Sequence, residues 1–283
     1  MSSSTIKQLP KTTVELEIHI PWEEIKSTYE KILDKIVSEA ELSGFRKGKA
    51  PKDLVSKNLD KSKLYEEVVK EVIPKAYREE IQKHKLTPII PPKVEVLKAK
   101  ENEEWVVKTT IALKPLISLN KYKEKIKEFK KGKIKIWTPG SGEKKDEGEK
   151  KLTLDEIVKL VMEEAEIELS EMLIEQEANR LLSDLIDQTQ KLGLSVEQYL
   201  MAKGKTTDQI RSEYTTQAEK NLAIEFIISE IADEEKITVS QEDLDKLINK
   251  AEKEEEKEKL RRDSYYLAHL IRQQKTLDFL GNL

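Results

Sequence analysis

The chain has 283 residues, of which 37% are charged and only 5% aromatic, and it contains no cysteine. This length allows two domains, and the composition favours solvated helices over an aromatic-rich sheet protein or a compact enzyme. The missing thiols exclude disulfides, thiol catalysis and thiolate metal sites.

The net charge of −4 is unevenly distributed along the chain. Residues 1–116 carry 22 Lys and Arg against 19 Asp and Glu, and residues 117–151 carry 12 against 6. Residues 152–283 carry 17 against 30, a net charge of −13. A basic front half can approach RNA, whereas an acidic rear half is repelled by it. This polarity predicts a chain that docks by one end and holds the other end away.

The N-terminus, Met1–Thr5, has neither a basic start nor an apolar core, so it does not predict a signal peptide. No run approaches about 18 apolar residues, the minimum for a membrane-spanning helix. We therefore expect a cytoplasmic protein that does not bind a membrane.

Residues 1–116 predict a small α+β head. Alternating apolar residues predict a strand over Val14–Ile20, and apolar residues at helical spacing predict a helix over Trp22–Leu42. A second helical pattern covers Leu54–Ile81, where Pro74 is expected to kink or split the helix. Two further strands are predicted within residues 94–111. The order strand, helix, helix, strand, strand indicates an α+β fold.

The segment Gly44–Pro51, here called the basic loop, lies between the two helical patterns. Gly44 is suited to end the first helix and Pro51 to begin the second. Arg46 and its neighbouring lysines suit a phosphate backbone, and an exposed Phe45 among them indicates a contact site. The candidate docking residues are Gly44, Phe45, Arg46, Lys47, Gly48, Lys49 and Pro51. An ordinary surface loop with solvated lysines is the alternative interpretation.

The basic loop, with its sequence Gly-Phe-Arg-Lys-Gly-Lys-Ala-Pro, resembles the ribosome-docking signature of the trigger factor family of bacterial chaperones. The resemblance implies a ribosome-binding head followed by a mostly α-helical body with arms. It also implies that Phe45, Arg46 and Lys47 contact a tunnel-exit ribosomal protein and ribosomal RNA. It implies further that the clients are unfolded nascent polypeptides and that the protein uses no cofactor. Whether two copies form a homodimer off the ribosome stays open.

Residues 117–151 are rich in lysine and glutamate and contain Gly140-Ser141-Gly142. This composition predicts a mobile or partly helical charged linker, with Trp137 as its one anchored point. Trigger factors usually carry a prolyl-isomerase domain of the FK506-binding type at this place. That fold needs several strands around an aromatic-lined pocket, which these residues cannot build, so we expect no isomerase activity.

Residues 152–283 predict a helical body. Thr153 and Glu156 form a capping-box pattern, Ser195 and Ser240 are further predicted N-caps, and Gly204 is a predicted helix stop. Some apolar side chains of the arms are expected to face clients, with methionine favoured because its unbranched side chain adapts to unlike partners. The client-binding candidates are Met162, Met172, Met201, Tyr199, Tyr214 and Phe226. Packing in the core is the alternative at each of these positions.

We identify no catalytic or metal-binding motif. The three histidines, His19, His84 and His269, are far apart and have no second ligand three or four residues away. The resemblance to trigger factors implies an ATP-independent holdase that docks at the ribosomal tunnel exit and shields nascent chains. Two alternatives stay open: a ribosome-independent cytosolic helical chaperone or scaffold, and a residual prolyl isomerase.

Overall fold

The computed structural model describes residues 2–41, 45–133, 152–251 and 253–283. The chain divides into two compact units, Met1–Lys114 and Pro115–Leu283. The first unit combines a sheet with helices and the second is mostly helical, which confirms the predicted α+β class.

The first unit is built on a four-stranded antiparallel sheet. Its elements in chain order are β1 (Ser3–Leu9), β2 (Thr13–Ile20), α1 (Trp22–Glu39), α2 (Lys52–Asn58), α3 (Lys61–Lys83), β3 (Lys93–Lys98) and β4 (Trp105–Ala112). The strand order is β1-β2-β4-β3, so β1 and β3 are the edge strands.

One face of this sheet forms the core of the first unit. Ile18 of β2 lies opposite Val107 of β4, and Ile20 lies opposite Trp105, so the alternation predicted from the sequence places all four side chains on the same buried face. Ile25 of α1 and Val68 of α3 pack against them. The three predicted strands correspond to β2, β3 and β4, and the helix predicted from Trp22 corresponds to α1, which ends at Glu39.

The second helical pattern is divided at a different place from the one expected. Pro74 lies inside α3, which continues through it, whereas the chain breaks at Leu59 between α2 and α3. Asp60 starts the new helix because its carboxylate accepts a hydrogen bond from the Ser62 N–H at 3.0 Å. Strand β1, which the sequence did not predict, pairs with β2 along its whole length.

The second unit contains a two-stranded ladder and a set of helices. Its elements are β5 (Ile117–Ser118), α4 (Tyr122–Lys133), α5 (Leu154–Glu164), β6 (Glu166–Ile167), α6 (Glu171–Lys191), α7 (Val196–Lys203), α8 (Thr207–Glu234), α9 (Gln241–Ile248), α10 (Glu254–Arg262) and α11 (Ser264–Gly281). Capping boxes begin α5, α7 and α9 at Thr153, Ser195 and Ser240, and Gly204 ends α7 in the left-handed conformation, all as predicted. Among the described residues, no helix is both long and apolar enough to cross a membrane.

The prediction that a linker starts at residue 117 was wrong for residues 117–133. Ile117 pairs with Ile167 of β6, and Tyr122 and Ile126 of α4 are buried in the core of the second unit. The Tyr122 hydroxyl donates a hydrogen bond to Glu235 at 3.1 Å. These residues therefore belong to the helical unit. The remainder of the predicted linker, including Trp137, lies outside the described residues.

Candidate functional site

The basic loop follows the C-terminal end of α1. Ala40, the residue after the helix, has extended backbone angles (φ −67°, ψ 135°), so the chain turns away from the helix axis here. Gly44 lies outside the described residues, and the structure describes the loop from Phe45 to Pro51. The loop turns back at its middle, where the Lys49 N–H donates to the Arg46 carbonyl at 2.9 Å.

The loop is attached to both flanking helices. The Gly48 N–H donates to the Ala40 carbonyl at 3.0 Å, which brings the middle of the loop against the end of α1. Pro51 is the N-cap residue of α2, and its carbonyl accepts hydrogen bonds from the Leu54 and Val55 N–H groups. Val55 is buried, so the first turn of α2 is anchored. The hydrogen bond from Gly48 to Ala40 closes the part of the loop that contains Phe45, Arg46 and Lys47.

The tip carries an exposed apolar ring between cations. Phe45 is 44% exposed, although a phenylalanine side chain gains from burial. Arg46, Lys47 and Lys49 are exposed around it. The structure thus places one aromatic ring and three positive charges on the same short segment.

Little nearby negative charge offsets these cations. Lys47 lies 3.9 Å from Glu41, in a solvated pair whose members are 63% and 74% exposed. Such a pair contributes little to stability and is easily exchanged for another partner. Within the described residues, the side chains of Arg46 and Lys49 form no ion pair. Their charges are available to an anion such as a phosphate group.

Lys52, just beyond the loop, has a different role from the loop cations. Its ammonium group lies 2.5 Å from the Asp34 carboxylate of α1. The hydrogen bond that Lys52 donates to this carboxylate raises the pKa of Lys52 above its ordinary value. Lys52 therefore ties α2 to α1.

Sequence reasoning missed one exposed apolar residue beside the loop. Leu54 was assigned to the buried stripe of the second helical pattern, but its side chain is exposed, whereas that of Val55 is buried. Two consecutive helical residues point about 100° apart, and here Val55 takes the buried side while Leu54 turns to solvent. The pair of apolar residues carries no sequence signal for which of the two is buried.

The client-binding candidates of the second unit fall into three groups by burial. Met162 and Phe226 are partly buried and pack against the core, and client contact at these two positions stays a prediction. Met201 of α7 is 83% exposed. Tyr199, Met172 and Tyr214 are half-buried.

The surroundings of Met201 include aromatic and charged groups. The Lys203 ammonium lies 5.8 Å from the centre of the Tyr199 ring, within cation–π range. Burial raises the pKa of Tyr214. Leu192, Tyr265 and Tyr266 are further exposed apolar side chains of the second unit.

Family models match both parts of the chain. The model described as Bacterial trigger factor protein (TF) matches residues 1–138, and the model described as Bacterial trigger factor protein (TF) C-terminus matches residues 141–282. Only residues 139 and 140 lie between the two matches.

Curated relatives match the front of the chain. A protein named Trigger factor from Pelotomaculum thermopropionicum is 35% identical over 118 residues, which are 42% of this chain and 27% of the relative. Another Trigger factor, from Moorella thermoacetica, is 32% identical over 119 residues, with the same two shares. The matches thus span about a quarter of the length of these relatives.

A solved structure shares the fold. It is described as "Promiscuous Substrate Recognition in Folding and Assembly Activities of the Trigger Factor Chaperone", and it superposes with a TM-score of 0.66. The sequence identity is 14%, and the match covers 99% of each chain.

Proposed function

The chain belongs to the trigger factor family, and we propose that it is an ATP-independent holdase that docks at the exit of the ribosomal tunnel and shields nascent chains. The observation that carries this proposal is the exposed Phe45 followed by three exposed cations on the basic loop. Phe45, Arg46 and Lys47 are the proposed contact residues, with Gly44, Gly48, Lys49 and Pro51 completing the loop.

A surface of ribosomal protein and RNA would match both parts of this tip. The guanidinium of Arg46 offers a planar fork to phosphate oxygens, and Lys47 offers a point charge. Phe45 supplies apolar area for a hydrophobic pocket on protein, and a buried aromatic anchor commonly provides much of the binding energy of an interface. The acidic second half of the chain is repelled by RNA, so electrostatics favours docking through the loop.

The proposed client surface is in the second unit. Met201 is exposed on α7, and its flexible thioether can adapt to many apolar sequences. Contacts of this kind are weak individually, so clients can be released without nucleotide hydrolysis. Unfolded nascent chains are the proposed ligands of this surface, and Tyr199 is proposed as a neighbouring contact.

We further propose that the chain has no prolyl-isomerase activity. The two family matches leave two residues between them, and Leu119, Tyr122 and Ile126 of the predicted linker lie in the core of the helical unit. A proline-peptide isomerisation assay tests this directly. Catalysed isomerisation at micromolar protein would contradict the proposal.

Pelleting with ribosomes tests the docking proposal. Replacing Phe45, Arg46 and Lys47 by alanine should abolish pelleting, whereas stability should change by less than about 0.5 kcal/mol because the three side chains are exposed. A matched control replaces Leu97, Lys98 and Lys100 by alanine, which also removes one exposed apolar group and two cations from the first unit. The control should pellet like the unmodified protein.

Salt provides a second readout. If Arg46 and Lys47 contact RNA phosphates, the logarithm of the affinity should fall with the logarithm of the salt concentration. A double variant that replaces only Arg46 and Lys47 by alanine keeps Phe45 and residual binding, and it should lose about 1 to 2 units of that slope. Unchanged affinity in the triple variant would refute docking through this loop and would favour the ribosome-independent chaperone.

A further inference from the structure

We propose that Gly48 is a positioning residue, which folds the basic loop back onto the end of α1 so that Phe45, Arg46 and Lys47 are presented as one preformed surface. This inference rests on the proposed docking function. It concerns how the surface is held, which the proposed function leaves open.

The first support is the backbone of Gly48. Its φ is +73°, a left-handed value that glycine adopts without strain. A Cβ atom at this position would collide with the main-chain oxygen of Ser38 and would lie 3.2 Å from its carbonyl carbon. Both obstacles are main-chain atoms of a helix, so they cannot rotate out of the way. Any side chain at residue 48 would therefore displace the loop from α1.

The second support is a parallel attachment one helical turn earlier. Asp34 and Ser38 are four residues apart on α1 and thus lie on the same face. Asp34 holds Lys52 at 2.5 Å, and the Ser38 carbonyl occupies the place that a Cβ of residue 48 would need. The segment from Gly48 to Lys52 consequently runs along this face of α1, and the buried Ala50 lies between the two attachments.

The third support is electrostatic. The last turn of α1 contains no basic residue, although the C-terminal end of a helix carries partial negative charge. The hydrogen bond from Gly48 to Ala40 brings a loop with three cations to this end. The partial charge of the helix therefore favours the folded-back loop and reduces the repulsion among its cations.

A preformed tip lowers the entropy cost of docking. Ordering a flexible segment costs conformational entropy, which is subtracted from the binding energy. Gly48 would thus contribute to ribosome affinity without contacting the ribosome itself.

The test compares asparagine at two left-handed glycines. Asparagine tolerates positive φ better than other side chains, so it largely separates the collision from backbone strain. Gly48→Asn introduces the collision with Ser38, whereas Gly204→Asn does not, because a Cβ at Gly204 would meet no atom within 4 Å. We expect Gly48→Asn to weaken ribosome binding by about tenfold or more and Gly204→Asn to leave it unchanged.

Trypsin cleavage reports the loop conformation without the ribosome. A held loop resists the protease because cleavage requires local opening, so products ending at Arg46 and Lys47, identified by mass spectrometry, should form faster in Gly48→Asn than in Gly204→Asn. A milder variant, Asp34→Asn, weakens the second attachment without a collision and should also speed this cleavage. It keeps the inference testable if Gly48→Asn does not fold.

The two proposals fail in distinguishable ways. If the unmodified protein does not pellet with ribosomes, the proposed function fails, and the cleavage rates alone decide the role of Gly48. Equal cleavage rates in Gly48→Asn, Asp34→Asn and the unmodified protein would overturn the inference. Faster cleavage with unchanged ribosome affinity would also overturn it, because the preformed surface would then not matter for docking.

Discussion

The carboxylate of Glu80 in α3 accepts a hydrogen bond from the hydroxyl of Ser4 in β1, so a buried acid connects the edge strand of the first unit to a helix of its core. Glu80 is only 2% exposed. It also accepts hydrogen bonds from the Ser2 hydroxyl at 3.2 Å and the Lys83 ammonium at 3.0 Å. Burial by itself raises the pKa of Glu80, but Ser4 and Lys83 outweigh it and lower the pKa below its ordinary value.

We predict that Glu80→Gln destabilises the first unit by about 1–3 kcal/mol at pH 7, since charged hydrogen bonds of a buried group are lost. The folded pKa is lowered, so the contribution of the carboxylate is complete above its unfolded pKa of about 4.3 and disappears as the pH falls through the folded value. The difference in the free energy of unfolding between Glu80→Gln and the unmodified protein should therefore shrink below about pH 4.

Urea unfolding measures this effect at pH 7 and pH 3. In a Trp137→Phe background, the remaining tryptophans, Trp22 and Trp105, both report on the first unit. Glu79→Gln is the control because Glu79 is the exposed neighbour of Glu80 on α3 and lies 3.9 Å from Lys75. If Glu80→Gln lowers the free energy of unfolding by the same amount at both pH values, the Glu80 charge does not stabilise β1.

A second prediction concerns α4, which the sequence suggested as part of a linker. Tyr122→Ala should destabilise the second unit by about 3–5 kcal/mol, as expected for a buried aromatic side chain. Tyr122→Phe should cost about 0.5–1.5 kcal/mol because it removes only the hydrogen bond to Glu235. Phe129→Ala, on the more exposed part of the same helix, is the control and should cost less than Tyr122→Ala. Thermal unfolding followed by circular dichroism measures all three, and a negligible effect of Tyr122→Ala would restore the linker interpretation.

Elements with a local signal could be predicted from the sequence. Strand β2 has strict apolar alternation, and Thr153 with Glu156 satisfies both hydrogen bonds of a capping box within four residues. Strand β1 has no such signal, because it is a polar edge strand that is held by the ladder to β2 and by the bond from Ser4 to Glu80.

Other features depend on partners that are distant in sequence. The lysines of α4 suggested a solvated linker, but Lys125 pairs with Glu164 at 3.1 Å and Lys130 donates to the Gly281 carbonyl at 2.7 Å. The basic loop could be identified from its residue types. The close approach of Gly48 to Ser38 could not be predicted, because it involves main-chain atoms and does not depend on the type of either side chain.

A third prediction separates client surface from core. Met201→Ser should reduce the suppression of aggregation of an unfolded test protein and change stability by less than about 0.5 kcal/mol, since this side chain is exposed. Met162→Ser should instead lower stability, because Met162 packs against the core and the substitution replaces its apolar side chain by a polar one. Light scattering without nucleotide measures the first effect and urea unfolding the second. Unchanged holdase activity in Met201→Ser would remove α7 from the proposed client surface.

The final prediction concerns the selection of clients by charge. Residues 152–283 carry a net charge of −13, so apolar contacts in this region are surrounded by acid. Apolar burial should provide most of the affinity, while the acidic rim should favour basic clients and repel acidic ones. Two unfolded peptides of equal hydrophobicity, one basic and one acidic, should thus differ in affinity at low salt. The difference should diminish towards 0.15 M salt, where the screening length falls to about 8 Å.

The structure indicates which acids to change in this experiment. Glu164 pairs with Lys125, and its carbonyl accepts a hydrogen bond from Asn120, so reversing its charge would disturb the packing of α4. Glu163 and Glu166 are exposed, and Glu163 forms only a solvated pair with Lys159 at 3.9 Å. The double variant Glu163→Lys, Glu166→Lys should therefore weaken the binding of the basic peptide more than that of a neutral one, and the fold should be kept. Equal affinities of the basic and acidic peptides at low salt would show that the acidic half serves solubility alone.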